Sequence, residues 1–77
     1  MVNVDKSINI KGEVCPYTFV RSKLALEEIE AGQGLEVIVD HFPATQNVPR
    51  SMENEGNKVL EITKLNDKDW RMLFQKK

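Results

Sequence analysis

The chain has 77 residues, 40% hydrophobic and 30% charged, with three prolines and four glycines; this suits a single soluble globular domain spanning 1–77 and excludes a disordered or collagen-like chain. Eleven Lys plus Arg against twelve Asp plus Glu give a formal charge of −1, so no basic field exists to hold nucleic acid by counterion release, and no strong direct nucleic-acid binding is expected. No apolar run approaches the roughly 20 residues of a membrane span, the segment Met1 to Lys11 lacks the apolar core of a signal peptide, and a domain this small buries only about 60% of its unfolded surface, too little to enclose a large cofactor; no membrane association and a cytoplasmic location are expected.

Ser7-Ile8-Asn9-Ile10-Lys11 alternates polar and apolar residues and reads as a short strand, with Gly12-Glu13-Val14 as the loop after it. Pro16 suits the first position of a helix, where its missing N–H costs nothing. From Phe19 to Ile29 the chain lacks Gly and Pro, and Phe19, Ser22, Leu26 and Ile29 share one face with Ala25 beside them. With Gly32 as a C-terminal stop, the helix is predicted over 16–31.

Leu35-Glu36-Val37-Ile38-Val39 is a nearly continuous apolar run, suited to an interior strand. Strand, helix, strand at this spacing is a crossover unit, so the first two strands are expected to be parallel. Asp40-His41-Phe42-Pro43 reads as a turn. A second helix is predicted over 44–55 with Val48 and Met52 as its apolar pair, ended by Gly56-Asn57. Pro49 requires either a start near Asn47 or a kink. Lys58 to Leu65 and Asp69 to Gln75 form a hairpin around Asn66-Asp67-Lys68. Leu60 and Ile62 are expected on one face of its first strand, and Trp70, Met72 and Phe74 share a face of its second. The order β-α-β-α-β-β, with both helices on one face of a four-stranded sheet, makes a two-layer α/β (α+β) sandwich. Val59, Thr63, Leu65 and Leu73 are expected on the open face among Asn9, Lys11, Glu61, Arg71 and Gln75; that face is either a mixed solvent surface or a docking surface.

Cys15 is the only cysteine and His41 the only histidine. An intramolecular disulfide is impossible, a structural zinc site lacks ligands, and neither a nucleophile elbow nor a phosphate-binding loop is present. Chemistry performed by this chain alone narrows to Cys15. A buried structural thiol is the plain alternative. Against it, Cys15 stands at the mouth of the first helix, where first-turn N–H groups and the helix dipole favour a thiolate. Arg21 and Lys23, within two turns, add positive potential. A single reactive cysteine can carry a group or form a mixed disulfide with a partner. A persulfide, whose terminal sulfur ionises readily, gains from the same helix start. No metal or bound cofactor is expected beyond such a covalent persulfide.

These residues resemble the TusA/SirA-like sulfur-carrier family over about Ile8 to Phe74. Ile10-Lys11-Gly12-Glu13-Val14-Cys15-Pro16-Tyr17-Thr18 is similar to the family's Gly-x-x-Cys-Pro-x-Pro signature, and Leu35 to Ala44 followed by Asn47-Val48-Pro49-Arg50 is a second matching stretch. Thr18 stands where the signature has its second proline, and Asn9 where an aspartate is usual. The resemblance implies the mixed strand order 1-2-4-3. It implies Cys15 as persulfide carrier, with a cysteine desulfurase or rhodanese-like protein as donor. A downstream protein is the implied acceptor, as in the relay that thiolates tRNA, with sulfur oxidation, molybdenum-cofactor supply and selenium metabolism as other settings.

Supporting residues follow. Gly12 allows a positive φ or a close backbone approach, or forms a plain turn. Pro16 orients Cys15, and the Thr18 hydroxyl could donate to the thiolate. Tyr17 suits a partner footprint. Arg21 and Lys23 either steer an acidic partner or belong to a solvated helix face. Asp40 and His41 end the second strand, at the sheet edge where reactive loops gather; His41 is a candidate proton donor or an exposed turn residue. Two other readings stay open. Cys15-Pro16-Tyr17-Thr18 is similar to a glutaredoxin active site, which suggests a monothiol redox protein. A non-catalytic regulatory or interaction module would use Cys15 only as a structural cap.

Overall fold

The computed structural model describes residues 4–14 and 16–77. Among them the elements run β1 (Val4–Asn9), α1 (Tyr17–Glu27), β2 (Gly34–Val39), α2 (Ala44–Asn54), β3 (Lys58–Lys64) and β4 (Trp70–Gln75). The sheet order is β1-β2-β4-β3, with β1 and β2 parallel and both other pairings antiparallel. The expected two-layer arrangement and strand order are therefore present.

The core lies between the sheet and the helices. Leu35, Val37 and Val39 of β2 are fully buried, and β4 sets Phe74, Met72 and Trp70 directly opposite them. Ala44, Val48 and Met52 of α2 and Ala25 and Leu26 of α1 close this core from above, with Ile10 beneath the start of the α1 loop. Of the α1 stripe expected from sequence, Ser22, Ala25, Leu26 and Ile29 are buried, whereas Phe19 is only partly buried and Thr18, outside that stripe, is fully buried.

Three details differ from expectation. First, α1 ends at Glu27 rather than at residue 31. Glu28 and Ile29 donate to the carbonyls three residues back, which tightens the last turn, and the Ile29 carbonyl is taken by Lys76 Nζ at 2.7 Å. Gly32, at φ +86°, serves the turn into β2 instead of the helix end. Second, β1 spans Val4–Asn9 rather than residues 7–11. The helix expected over 44–55 is present as Ala44–Asn54 with Pro49 inside it, so it does not begin near Asn47. The proline removes only the N–H that would bond the Thr45 carbonyl, while its buried ring packs inward. Gly56 and Asn57 close α2 as expected: Asn57 donates to the Met52 carbonyl and Gly56, at φ +93°, to that of Glu53.

Third, β3 carries a bulge between Val59 and Glu61. Val59 stands opposite Phe74 and packs against the core, and Ile62 stands opposite Met72. Val59 and Ile62, not Leu60 and Ile62, therefore share the helix side, and Val59 is not on the open face. The extra residue, Leu60, shifts the alternation by one.

The open face carries charges over a single buried leucine. Ser7 Oγ donates to Glu36 Oε1 at 2.7 Å, and the Arg71 guanidinium bonds Glu36 and reaches Glu61 at 2.9 Å. Leu73, opposite both Glu36 and Glu61, is nearly covered by this row. The Glu36 carboxyl is held below its ordinary value of 4.5, first by the Ser7 hydrogen bond and then by Arg71, against the opposing effect of burial. On this face Arg71 pairs with both Glu36 and Glu61.

Candidate functional site

Parallel pairing of β1 and β2 brings the C-terminal ends of both strands, and hence the starts of both helices, to one end of the molecule. Two loops meet there, residues 10–16 and 40–43. The first leaves β1 through a tight turn. Lys11 N–H donates to Asn9 Oδ1 at 3.1 Å, Gly12 N–H to Asp40 Oδ1 at 2.8 Å, and Glu13 N–H to the Ile10 carbonyl at 3.2 Å. Gly12 takes φ +92°, a value that L side chains rarely adopt. Of the two expectations for Gly12 it meets the positive φ, while an added Cβ would meet nothing within 4 Å, so no close backbone approach requires the glycine.

Cys15 itself lies outside the described residues. Its neighbours Val14, Pro16 and Tyr17 are all exposed, Tyr17 by 63%. Pro16 is the N-cap residue, one position before the first helical residue, because its φ of −89° and ψ of 2° are not helical. The Val14 carbonyl accepts from both Tyr17 N–H (2.8 Å) and Thr18 N–H (3.3 Å). Two of the first-turn amides expected to face the sulfur are thus already engaged by the Val14 carbonyl.

The other expected residues divide between the two ends and the interior. Thr18 is fully buried on the core side of α1, and Ser22 Oγ donates to its carbonyl at 2.7 Å. Arg21 pairs with Glu13 at 3.0 Å and so ties the loop to α1. Lys23 pairs with Glu55 at 3.3 Å and lies 6.0 Å over the Phe19 ring. It faces the opposite end, where a groove of about 490 Å³ is lined by Lys23, Leu26, Glu55, Asn57, Lys76 and Lys77. His41 is half-buried in the turn after β2, and its carbonyl accepts from Ala44 N–H at 3.0 Å.

Sequence reasoning passed over two aromatic residues at the loop end. The Phe42 and Trp70 rings lie 5.5 Å apart at 60°. Phe42 follows β2 by three residues and Trp70 stands opposite Val39, so the antiparallel register, once known, brings them together. Lys11 reaches Asp69 at 3.5 Å and ties the same loop to the hairpin. Asp69 is held below its ordinary value chiefly by the Asn66 amide, against the opposing effect of burial, with Lys11 and Lys68 adding to the lowering. On the outside of α1, Tyr17, Val20 and Leu24 form an exposed apolar stripe that begins at the loop.

A model of the family described as Sulfurtransferase TusA matches residues 6–76. The chain belongs to the TusA family. An Archaeoglobus fulgidus relative, named "Putative sulfur carrier protein", is 47% identical over 99% of this chain and 86% of its own length. A Thermotoga maritima protein of the same name is 32% identical over 96% of this chain and 94% of its own. The crystal structure of a SirA-like protein from Desulfitobacterium hafniense superposes with a TM-score of 0.81 at 30% identity, covering 91% of this chain and 95% of that one. Family membership separates the chain from the glutaredoxin-like alternative, with which it shares only four residues of pattern. Of its two departures from the family signature, Asn9 keeps an oxygen acceptor on the Lys11 amide, and Thr18 fills a fully buried position.

Proposed function

We propose that this TusA-family chain is a cytoplasmic sulfur carrier that holds sulfur as a persulfide on Cys15. The observation that carries the reading is the place of the chain's one thiol in the sequence, between exposed Val14 and Pro16, the N-cap of α1, in a chain 47% identical to a protein named "Putative sulfur carrier protein". Loading needs no external oxidant. The Cys15 thiolate attacks the terminal sulfur of a donor persulfide, a new S–S bond forms, and the donor's S–S bond breaks. The donor cysteine leaves as a thiolate and takes up a proton. Unloading is the same exchange, with the acceptor's thiolate attacking the terminal sulfur on Cys15.

A cysteine desulfurase or rhodanese-like protein is the donor in this reading, and a second protein is the acceptor, with tRNA thiolation as one destination. The exposed Tyr17 and the apolar stripe it begins supply contact area at the start of α1. The helix dipole favours both the thiolate and the persulfide anion.

The test is mass spectrometry after incubation with a cysteine desulfurase and free cysteine. The wild type is expected to gain the mass of one or more sulfur atoms, removable by reductant, and Cys15→Ser to gain none. A wild type left unmodified by several desulfurases overturns the reading. A Cys15→Ser variant with full biological activity favours the interaction module instead.

A further inference from the structure

The turn that leads into Cys15 is tied to other elements by three side chains: Asp69 pairs with Lys11, Arg21 pairs with Glu13, and Asp40 alone of the three takes a backbone amide of the turn. Three successive amides, those of Lys11, Gly12 and Glu13, donate to Asn9 Oδ1, Asp40 Oδ1 and the Ile10 carbonyl. Asn9 and Ile10 belong to the segment that enters the turn. Asp40 does not: it lies 28 residues further on, just past β2, and reaches Gly12 at 2.8 Å. The flanks are fixed independently. Ile10 is buried and donates to the Ile38 carbonyl, and the Val14 carbonyl is held by two amides of α1. Gly12 is exposed, and an added Cβ there would meet nothing within 4 Å, so packing does not hold the turn at that point. At Gly12 the contact from another element is the Asp40 hydrogen bond.

We propose that Asp40 is the positioning residue for Cys15: by accepting the Gly12 N–H it fixes the turn that delivers Cys15 to the start of α1, and it acts through the backbone rather than as a nearby charge. This rests on the reading of Cys15 as the sulfur-bearing residue. The two modes of action predict opposite signs. Removing a neighbouring negative charge alone would favour the thiolate and speed its reactions. Releasing the turn slows them, because the sulfur is then held less often at the helix start.

The experiment follows modification of Cys15 by iodoacetamide at neutral pH in the wild type, Asp40→Ala and Asp40→Asn. Asparagine keeps an oxygen acceptor for Gly12 and discards the charge. The expected result is a slowing of about 5-fold or more in Asp40→Ala, with Asp40→Asn within about 2-fold of the wild type. Amide hydrogen exchange is expected to show Gly12 protected in the wild type and in Asp40→Asn, and unprotected in Asp40→Ala. An Asp40→Ala variant as reactive as the wild type overturns the proposal, as do equal effects of both substitutions. Should Asp40→Ala fail to fold, exchange in the wild type still decides, since a Gly12 amide exchanging at the rate of an unstructured peptide overturns the proposal. Iodoacetamide needs no sulfur donor, so these results stand apart from persulfide loading. Failure of the wild type to load sulfur would sink the carrier reading and leave the positioning role measured.

Discussion

Gly12 shows what a single residue contributes and what it costs to replace. Its φ of +92° lies where a Cβ crowds the local backbone, yet an added Cβ meets no neighbour within 4 Å. The penalty for Gly12→Ala is therefore purely conformational, about 1 kcal/mol. Urea unfolding is expected to show a lower midpoint with an unchanged slope, since the surface exposed on unfolding is the same. That Gly12 needs special backbone freedom is legible in the sequence, from its place between a strand and Cys-Pro. Its partner is not, because Asp40 comes within reach only through the parallel register of β1 on β2. The destination of the first-turn amides was hidden for a similar reason. Composition says that a helix start has spare N–H groups, but not that the Val14 carbonyl bends round to take two of them.

At the scale of elements, alternation and helical spacing found every strand and helix, β1 with its bounds displaced from Val4–Asn9 to 7–11, and two of the misses are where a local device interrupts the period. Nothing in Lys58-Val59-Leu60-Glu61-Ile62 announces a bulge, yet one extra residue moves Val59 to the core side. α1 ends at Glu27, and the Ile29 carbonyl just beyond it is taken by Lys76, 47 residues away. On the opposite face of the sheet, the Ser7–Glu36–Arg71–Glu61 row links all four strands with polar side chains. Because the native Glu36 carboxyl is held below 4.5, its contribution to stability is complete above that value and is lost as pH falls through the lowered native one. Glu36→Gln is expected to be less stable than the wild type near neutral pH by about 1 kcal/mol. The gap should narrow on acidification, in urea titrations run at a series of pH values. A gap that stays constant into acid would show that the charge on Glu36 is not what the row uses.

The whole molecule measures 31 × 25 × 17 Å, and the short axis is two layers deep. One core must therefore hold both layers together. Phe74 is its largest fully buried side chain, on the strand between β2 and β3. Phe74→Ala removes about 3–5 kcal/mol, much of what a domain this small has in total. A substantially unfolded population at 37 °C is expected, seen as loss of the far-UV circular dichroism and a shift in the emission of Trp70, the chain's only tryptophan. The order of elements and the parallel first pair follow from the pattern of residues. The placement of β4 between β2 and β3 came instead from resemblance to the TusA/SirA-like family, since strand patterning cannot distinguish an interior hairpin strand from an edge one when both are short.

β4 runs away from the cysteine loop, from Trp70 opposite Val39 to Gln75 opposite Gly34. Lys76 and Lys77 are then stitched down at the far end through Gly32, Gln33 and Asn57. A surface linker or fluorescent fusion joined after Lys77 would consequently tether the protein by its base, with the thiol-bearing pole turned outward to a flowing solution of candidate donors.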